Sequence, residues 1–146
     1  MTEKDDFALQ DFLPYLLNRA AEESSLEFQQ HYKNCYGMLR TEWRVLFHLG
    51  SYGRMTAKEI GQRAKIHKTK ISRAVAKLAE RRFVLRHRDE RDRRSEHLEL
   101  TPQGQAAYRD LREQAAIYDG QLASRLSEGE SEALRHMLRK LAGIEP

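Results

Sequence analysis

The chain has 146 residues, 26 Lys and Arg against 22 Asp and Glu, a net charge of +4 and a mean hydropathy of −0.79. That length fits one domain, or one domain with helical extensions. No apolar run approaches the roughly 18 residues that span a bilayer, a single Cys excludes an internal disulfide framework, and the acidic opening MTEKDDFALQ lacks a signal-peptide pattern, so a cytoplasmic, membrane-free protein is expected.

Charge is unevenly placed. Arg54 to His97 holds 15 Lys/Arg and 6 Asp/Glu, a net of +9, whereas the rest holds 11 and 16, a net of −5. Such a block is the electrostatic footprint of a polyanion partner or a merely solvated basic face, and charge alone does not choose between them. With 33% of residues charged, the surface must be large for the volume, as in elongated helical proteins and oligomers.

Apolar spacing predicts a first helix from about Phe7 to Tyr36, with Phe12, Leu13, Leu16, Leu17, Ala20 and Ala21 on a stripe wide for one helix of a small domain. Pro14 either kinks it or marks its true start. LRTEWRVLFHLGSYG reads as a second helix, with Thr41 as N-cap, Trp43, Leu46, Phe47 and Leu49 on its apolar face, and Gly50 and Gly53 stopping it. MTAKEIGQRA is a short third helix, about Thr56 to Arg63, opened by the capping-box pair Thr56 and Glu59, with Ala57, Ile60 and Ala64 inward. A turn leads to a fourth helix, Lys68 to Arg82. Its apolar face is Ile71, Ala74, Val75 and Leu78, and its polar face Lys68, Thr69, Lys70, Ser72, Arg73 and Lys77. FVLRHR and EHLEL then alternate with a period near two and predict a β-hairpin around the charged run. Thr101 and Pro102 restart a helix to about Leu126. Ser127 and Glu130 open the last, to about Ala142, with Leu134, Leu138 and Leu141 as its stripe.

The order is α-α-α-α-β-β-α-α, mostly α with a small β-hairpin. Two short helices joined by a tight turn, the second basic and followed by a hairpin, form a winged helix-turn-helix. The second helix suits the major groove, and an Arg-bearing hairpin tip suits the narrow minor groove. Asp89 and Asp92 are expected to pair with neighbouring Arg side chains and shape the tip, leaving Arg91 and Arg93 free.

The segment TAKEIGQRAKIHKTKISRAVAKLAERRFVLRHRDERDRRSEHLELTPQG resembles the DNA-binding core of the MarR family of bacterial transcription regulators. The wing matches D-x-R-x-x-R at Asp89, Arg91 and Arg94, and L-T-x-x-G at Leu100, Thr101 and Gly104. TEWRVLFHL loosely fits the family's second helix, and the flanking helices match in order and length. The resemblance implies a homodimer built from residues 1–36 and 102–146, with residues 37–101 as the DNA-binding domain. It implies two recognition helices reading a pseudo-palindrome, and repression released by a small aromatic carboxylate or phenolic anion bound where the two parts meet.

For DNA the candidate residues are Lys68, Thr69, Lys70, Ser72, Arg73, Lys77, Arg91 and Arg94. Arg73 is the first choice for a base, through guanine O6 and N7, and Arg91 for the minor groove. Thr69 and Ser72 serve phosphates as readily as bases. For the effector they are Arg19, Trp43, Arg44 and His48, against which stand core packing for Trp43 and surface pairs for the rest. Cys35 has no second Cys to resolve it; packing is favoured over redox sensing. His67 is expected to cap the fourth helix or touch phosphate. The six His show no metal spacing. No nucleophile elbow, phosphate loop or paired apolar carboxylate appears, so no cofactor and no catalytic site are expected. The competing readings are an architectural DNA binder without inducer and a winged helix docking a protein. The second lacks the aromatic anchors such a surface needs.

Overall fold

The computed structural model describes residues 6–91 and 96–144. The elements are α1 (Leu13–Tyr36), α2 (Arg40–Tyr52), β1 (Met55–Thr56), α3 (Ala57–Ala64), α4 (Lys68–Glu80), β2 (Val84–Arg88), β3 (Glu96–Leu100), α5 (Pro102–Ala123) and α6 (Glu128–Ala142).

Several boundaries depart from the expected ones for local reasons. α1 starts at Leu13, not Phe7; Phe12 is extended, Pro14 sits in the first turn, and Leu9–Asp11 form a separate 3₁₀ turn. Pro14 therefore marks the start, where its missing N–H costs nothing. α2 is capped at Leu39, and Thr41 lies inside it. Glu42 does the capping: its Oε2 accepts the Leu39 N–H at 2.7 Å, and the residue is only 3% exposed. Gly50 is helical and only Gly53 ends α2. α4 ends at Glu80, two residues early, because Arg82 turns into the left-handed region (φ 66°) and swings the chain toward β2. α5 ends at Ala123 rather than Leu126. The caps at Thr56, Thr101 and Ser127 form as expected, each worth about 1 kcal/mol.

β1 is an element the sequence did not signal, since two residues carry no alternation. It joins the hairpin in a three-stranded antiparallel sheet of order β1-β3-β2, with Met55 opposite Leu98 and Val84 opposite Leu100. One sheet face, with Val84, Leu98 and Leu100, joins Leu46 and Leu49 of α2, Ile60 of α3 and Ile71, Val75 and Leu78 of α4 in a closed core. Phe28 and Tyr32 of α1 and Tyr108 and Leu111 of α5 complete it. Phe28 meets Trp43 edge-on at 5.3 Å, and Phe47 meets Tyr108 likewise at 5.3 Å. The winged body is thus fastened to the middle of α1 and the first half of α5.

Beyond that junction the burial stops. α6 buries no residue within the chain. Leu13, Leu16, Leu17, Ile117, Leu134, Met137, Leu138 and Leu141 are all exposed.

Candidate nucleic-acid interface

The helix-turn-helix presents α4 by burying one side of it. Ile71, Ala74, Val75 and Leu78 lock into the core, which leaves Lys68, Thr69, Lys70, Ser72, Arg73 and Lys77 exposed on the other side. Among the described residues none of these cations forms an ion pair. His67 caps the helix as expected, its Nδ1 accepting the Thr69 N–H at 3.1 Å. The helix start therefore offers a positive dipole end, two Lys and two hydroxyls together, the combination that suits phosphate and base edges.

One contact and one backbone conformation shape the turn between α3 and α4. Arg44 of α2 donates from its guanidinium to the Ala64 carbonyl at 2.9 Å, closing the C-terminus of α3 just before the turn. Burial, and then the nearby Arg40 charge, lowers the Arg44 pKa. Lys65 takes the left-handed conformation (φ 56°) that ends α3.

The wing stands beside α4. Arg86 and Glu96 form a two-pronged pair at 2.8 and 2.9 Å across its strands, which lowers the Glu96 pKa and raises that of Arg86. His87 Nε2 lies 2.7 Å from Glu99 Oε1. Asp89 shapes the tip through the backbone, its Oδ1 accepting the Arg91 N–H at 3.0 Å, and among the described residues it forms no ion pair. The Arg91 side chain is left exposed and without an ion pair among the described residues. Arg94, with Asp92 and Arg93, lies outside the described residues.

The wing base also gathers a group that sequence reading missed. Arg54, His87, Arg88, Arg91 and His97 line a cleft of about 390 Å³ together with Asp89 and Glu90. Arg54 follows a helix-ending glycine and has no periodic context, so only its place in the basic block could have flagged it.

The four effector candidates separate. Trp43 lines a cavity of about 240 Å³ between α1, α2 and α5, with Phe28, Tyr32, Tyr118, Ser24 and Asp119. The Tyr118 hydroxyl donates to the Ser24 carbonyl, and Asp119 is held by Arg135 of α6 at 2.9 Å. Arg19 is exposed and donates to the Tyr15 hydroxyl at 3.2 Å. Arg44 is committed to Ala64, and His48 Nδ1 faces the Arg44 carbonyl at 2.6 Å. Cys35 is exposed at the end of α1. No metal-ligating cluster occurs among the described residues, and no described helix is long and apolar enough to cross a membrane.

Comparison with known proteins agrees with this geometry. Residues 36–95 match the model of the MarR family. The chain is 26% identical over 104 residues to YwoH of Bacillus subtilis, an uncharacterized HTH-type transcriptional regulator, covering 71% of this chain and 75% of that one. It superimposes on a MarR family transcriptional regulator from Silicibacter pomeroyi with a TM-score of 0.81 and 27% identity, over 95% of this chain and 98% of that one. BpsR of Bordetella bronchiseptica, whose DNA binding is regulated by 6-hydroxynicotinic acid, has the same fold, with a TM-score of 0.82 and 20% identity over 94% and 98% of the two chains.

Proposed function

We propose that this chain is a transcriptional regulator of MarR type, a homodimeric repressor that reads a pseudo-palindromic operator and leaves it when a small aromatic ligand binds. The MarR family model matched over residues 36–95 and the fold shared with a solved MarR family regulator support a transcriptional regulator rather than an enzyme. The observation that carries the DNA assignment is the exposed cationic face of α4, without an ion pair among the described residues, with Arg91 beside it on the wing. In this reading residues 37–101 bind DNA, and residues 1–36 and 102–146 bring two copies together.

Arg73 is assigned to a base and Arg91 to the backbone or minor groove. Lys68, Lys70 and Lys77 meet phosphates, and Thr69 and Ser72 meet phosphates or bases. Arg73→Ala is expected to weaken operator binding by about 1–3 kcal/mol and to relax base preference. Arg91→Ala is expected to weaken all sequences alike and to flatten the salt dependence by about one unit of slope. Fluorescence anisotropy across a salt series separates the two; unchanged affinity in both variants would refute the assignment.

For the effector, the cavity between α1, α2 and α5 is the favoured site. Its four rings suit an aromatic ligand, and its volume of about 240 Å³ exceeds the roughly 150 Å³ that admits benzene in an engineered protein cavity. Among its described lining residues none is Lys or Arg, so ring contacts must supply most of the affinity and a phenol fits better than a carboxylate. The test is a duplex from upstream of the protein's own gene against a scrambled one, titrated with phenols and aromatic carboxylates including 6-hydroxynicotinic acid. Sequence-dependent binding released by one of them supports the reading. Binding that no ligand reverses would favour a constitutive DNA binder.

A further inference from the structure

Beyond α4, the cleft at the wing base has the makings of an anion site that adds Arg54 and Arg88 to Arg91. Three Arg side chains, Arg54, Arg88 and Arg91, converge there from the α2–β1 turn, β2 and the wing tip. Two carboxylates, Asp89 and Glu90, share the lining, and Asp89 is already engaged by the Arg91 N–H at 3.0 Å. Among the described residues the fixed charge of the lining is therefore only +1, three Arg against Asp89 and Glu90. The two imidazoles decide how anion-attracting the cleft is: with both protonated the same lining carries +3.

Strand register puts those imidazoles side by side. His87 and His97 are direct partners across β2 and β3. Alternation places them with Leu85 and Glu99 on the sheet face opposite Val84, Leu98 and Leu100. Thr56 of β1 is the partner of His97 on the other side. Glu99 reaches His87 Nε2 at 2.7 Å, while Arg86 and Glu96 are paired with each other on the opposite face, where alternation also puts Arg88 at the strand end, opposite Glu96. When a neutral His87 donates its Nε2 proton to Glu99, its Nδ1 bears a lone pair and cannot donate to an anion; the imidazolium donates at both nitrogens.

We propose that this cleft seats a backbone phosphate of the bound duplex, and that filling it takes up protons from solvent onto His87 and His97. The proposal rests on the DNA-binding reading above and adds to it a phosphate contact through Arg54 and a proton linkage. DNA binding is then tighter on the acid side of neutrality. The seat is a fixed part of the winged domain, because β1 holds Arg54 against β3 through the Met55–Leu98 and Thr56–His97 pairings.

The experiment uses the full chain and a duplex that it has itself selected from a random-sequence pool, with anisotropy read at pH 8 and pH 6 over a salt series. Affinity is expected to rise about tenfold on acidification. Arg54→Gln should lower the salt slope by about one unit. His87→Gln combined with His97→Gln should abolish the pH dependence, so that affinity is the same at pH 6 as at pH 8, with circular dichroism confirming an unchanged fold. A pH-independent wild-type affinity would overturn the proposal, as would a gain that survives the double substitution, which would place the proton elsewhere, for example on His67. An unchanged salt slope in Arg54→Gln would also overturn it. Absence of duplex binding at both pH values would overturn the DNA-binding reading and the seat with it, whereas tight but pH-flat binding overturns the seat alone.

Discussion

Gly104→Ala is expected to destabilise the protein by about 3 kcal/mol and to cost operator binding. A Cβ at Gly104 would lie 2.1 Å from the Phe83 carbonyl oxygen and 3.0 Å from its carbon. The obstacle is backbone, and that backbone is held. Phe83 O accepts the Thr101 N–H at 3.0 Å, and Thr101 Oγ1 donates to the Arg82 carbonyl at 2.6 Å while accepting the Gly104 N–H at 2.9 Å. Relief therefore requires moving the base of β2 away from the start of α5, which breaks the Thr101 cap and tilts the wing against α4. The denaturant midpoint measures the loss. Gly129→Ala is the control: there a new Cβ meets nothing within 4 Å, and the midpoint should stay or rise. A Gly104→Ala protein as stable as wild type would show that this junction is softer than its geometry implies.

The same junction explains why the L-T-x-x-G pattern was informative in the sequence. Thr101 and Gly104 are a cap and a close approach, both of which restrict residue type within four positions. The other legible features were local in the same sense: the alternation of β2 and β3, the capping pairs of α3 and α6, and the one-sided polarity of α4. What the sequence hid was set by tertiary contacts. Gly50 looked like a helix stop, but it allows α5 to approach, since a Cβ there would lie 2.4 Å from the Tyr108 ring. Leu39 is no ordinary cap residue and serves only because the buried Glu42 turns back on it. Arg44 and His48 are effector candidates by their place on the second helix, near the expected pocket, and the helix turns them toward Ala64 and toward the α2 backbone. Phe28, Tyr32 and Tyr118, the rings that line the cavity, carry no sequence pattern that separates lining from core. Arg54 reaches the wing only through a two-residue strand.

Replacing Leu138 and Leu141 together by Glu is expected to split the protein into folded monomers and to weaken operator binding by about two orders of magnitude or more. A compact monomer of 17.1 kDa exposes about 7,800 Å²; this chain exposes 11370 Å². The excess includes Leu13, Leu16 and Leu17 on α1, Ile117 on α5 and Leu134, Met137, Leu138 and Leu141 on α6, the two ends of the chain, an apolar surface larger than a monomer normally leaves in water. In the proposed reading a second copy is the occupant, because one chain supplies one recognition helix and the proposed pseudo-palindrome needs two. Tethering two half-site contacts gives about 10²–10⁴ in avidity, and a monomer forfeits it. Since α6 buries nothing within its own chain, the substitutions leave the winged domain intact, so loss of binding with unchanged circular dichroism is attributable to dissociation. Sedimentation at micromolar concentration reads the assembly directly. A stable wild-type monomer there, or a double variant that binds its operator as a monomer with full affinity, would defeat the dimer and with it the two-helix reading of the operator.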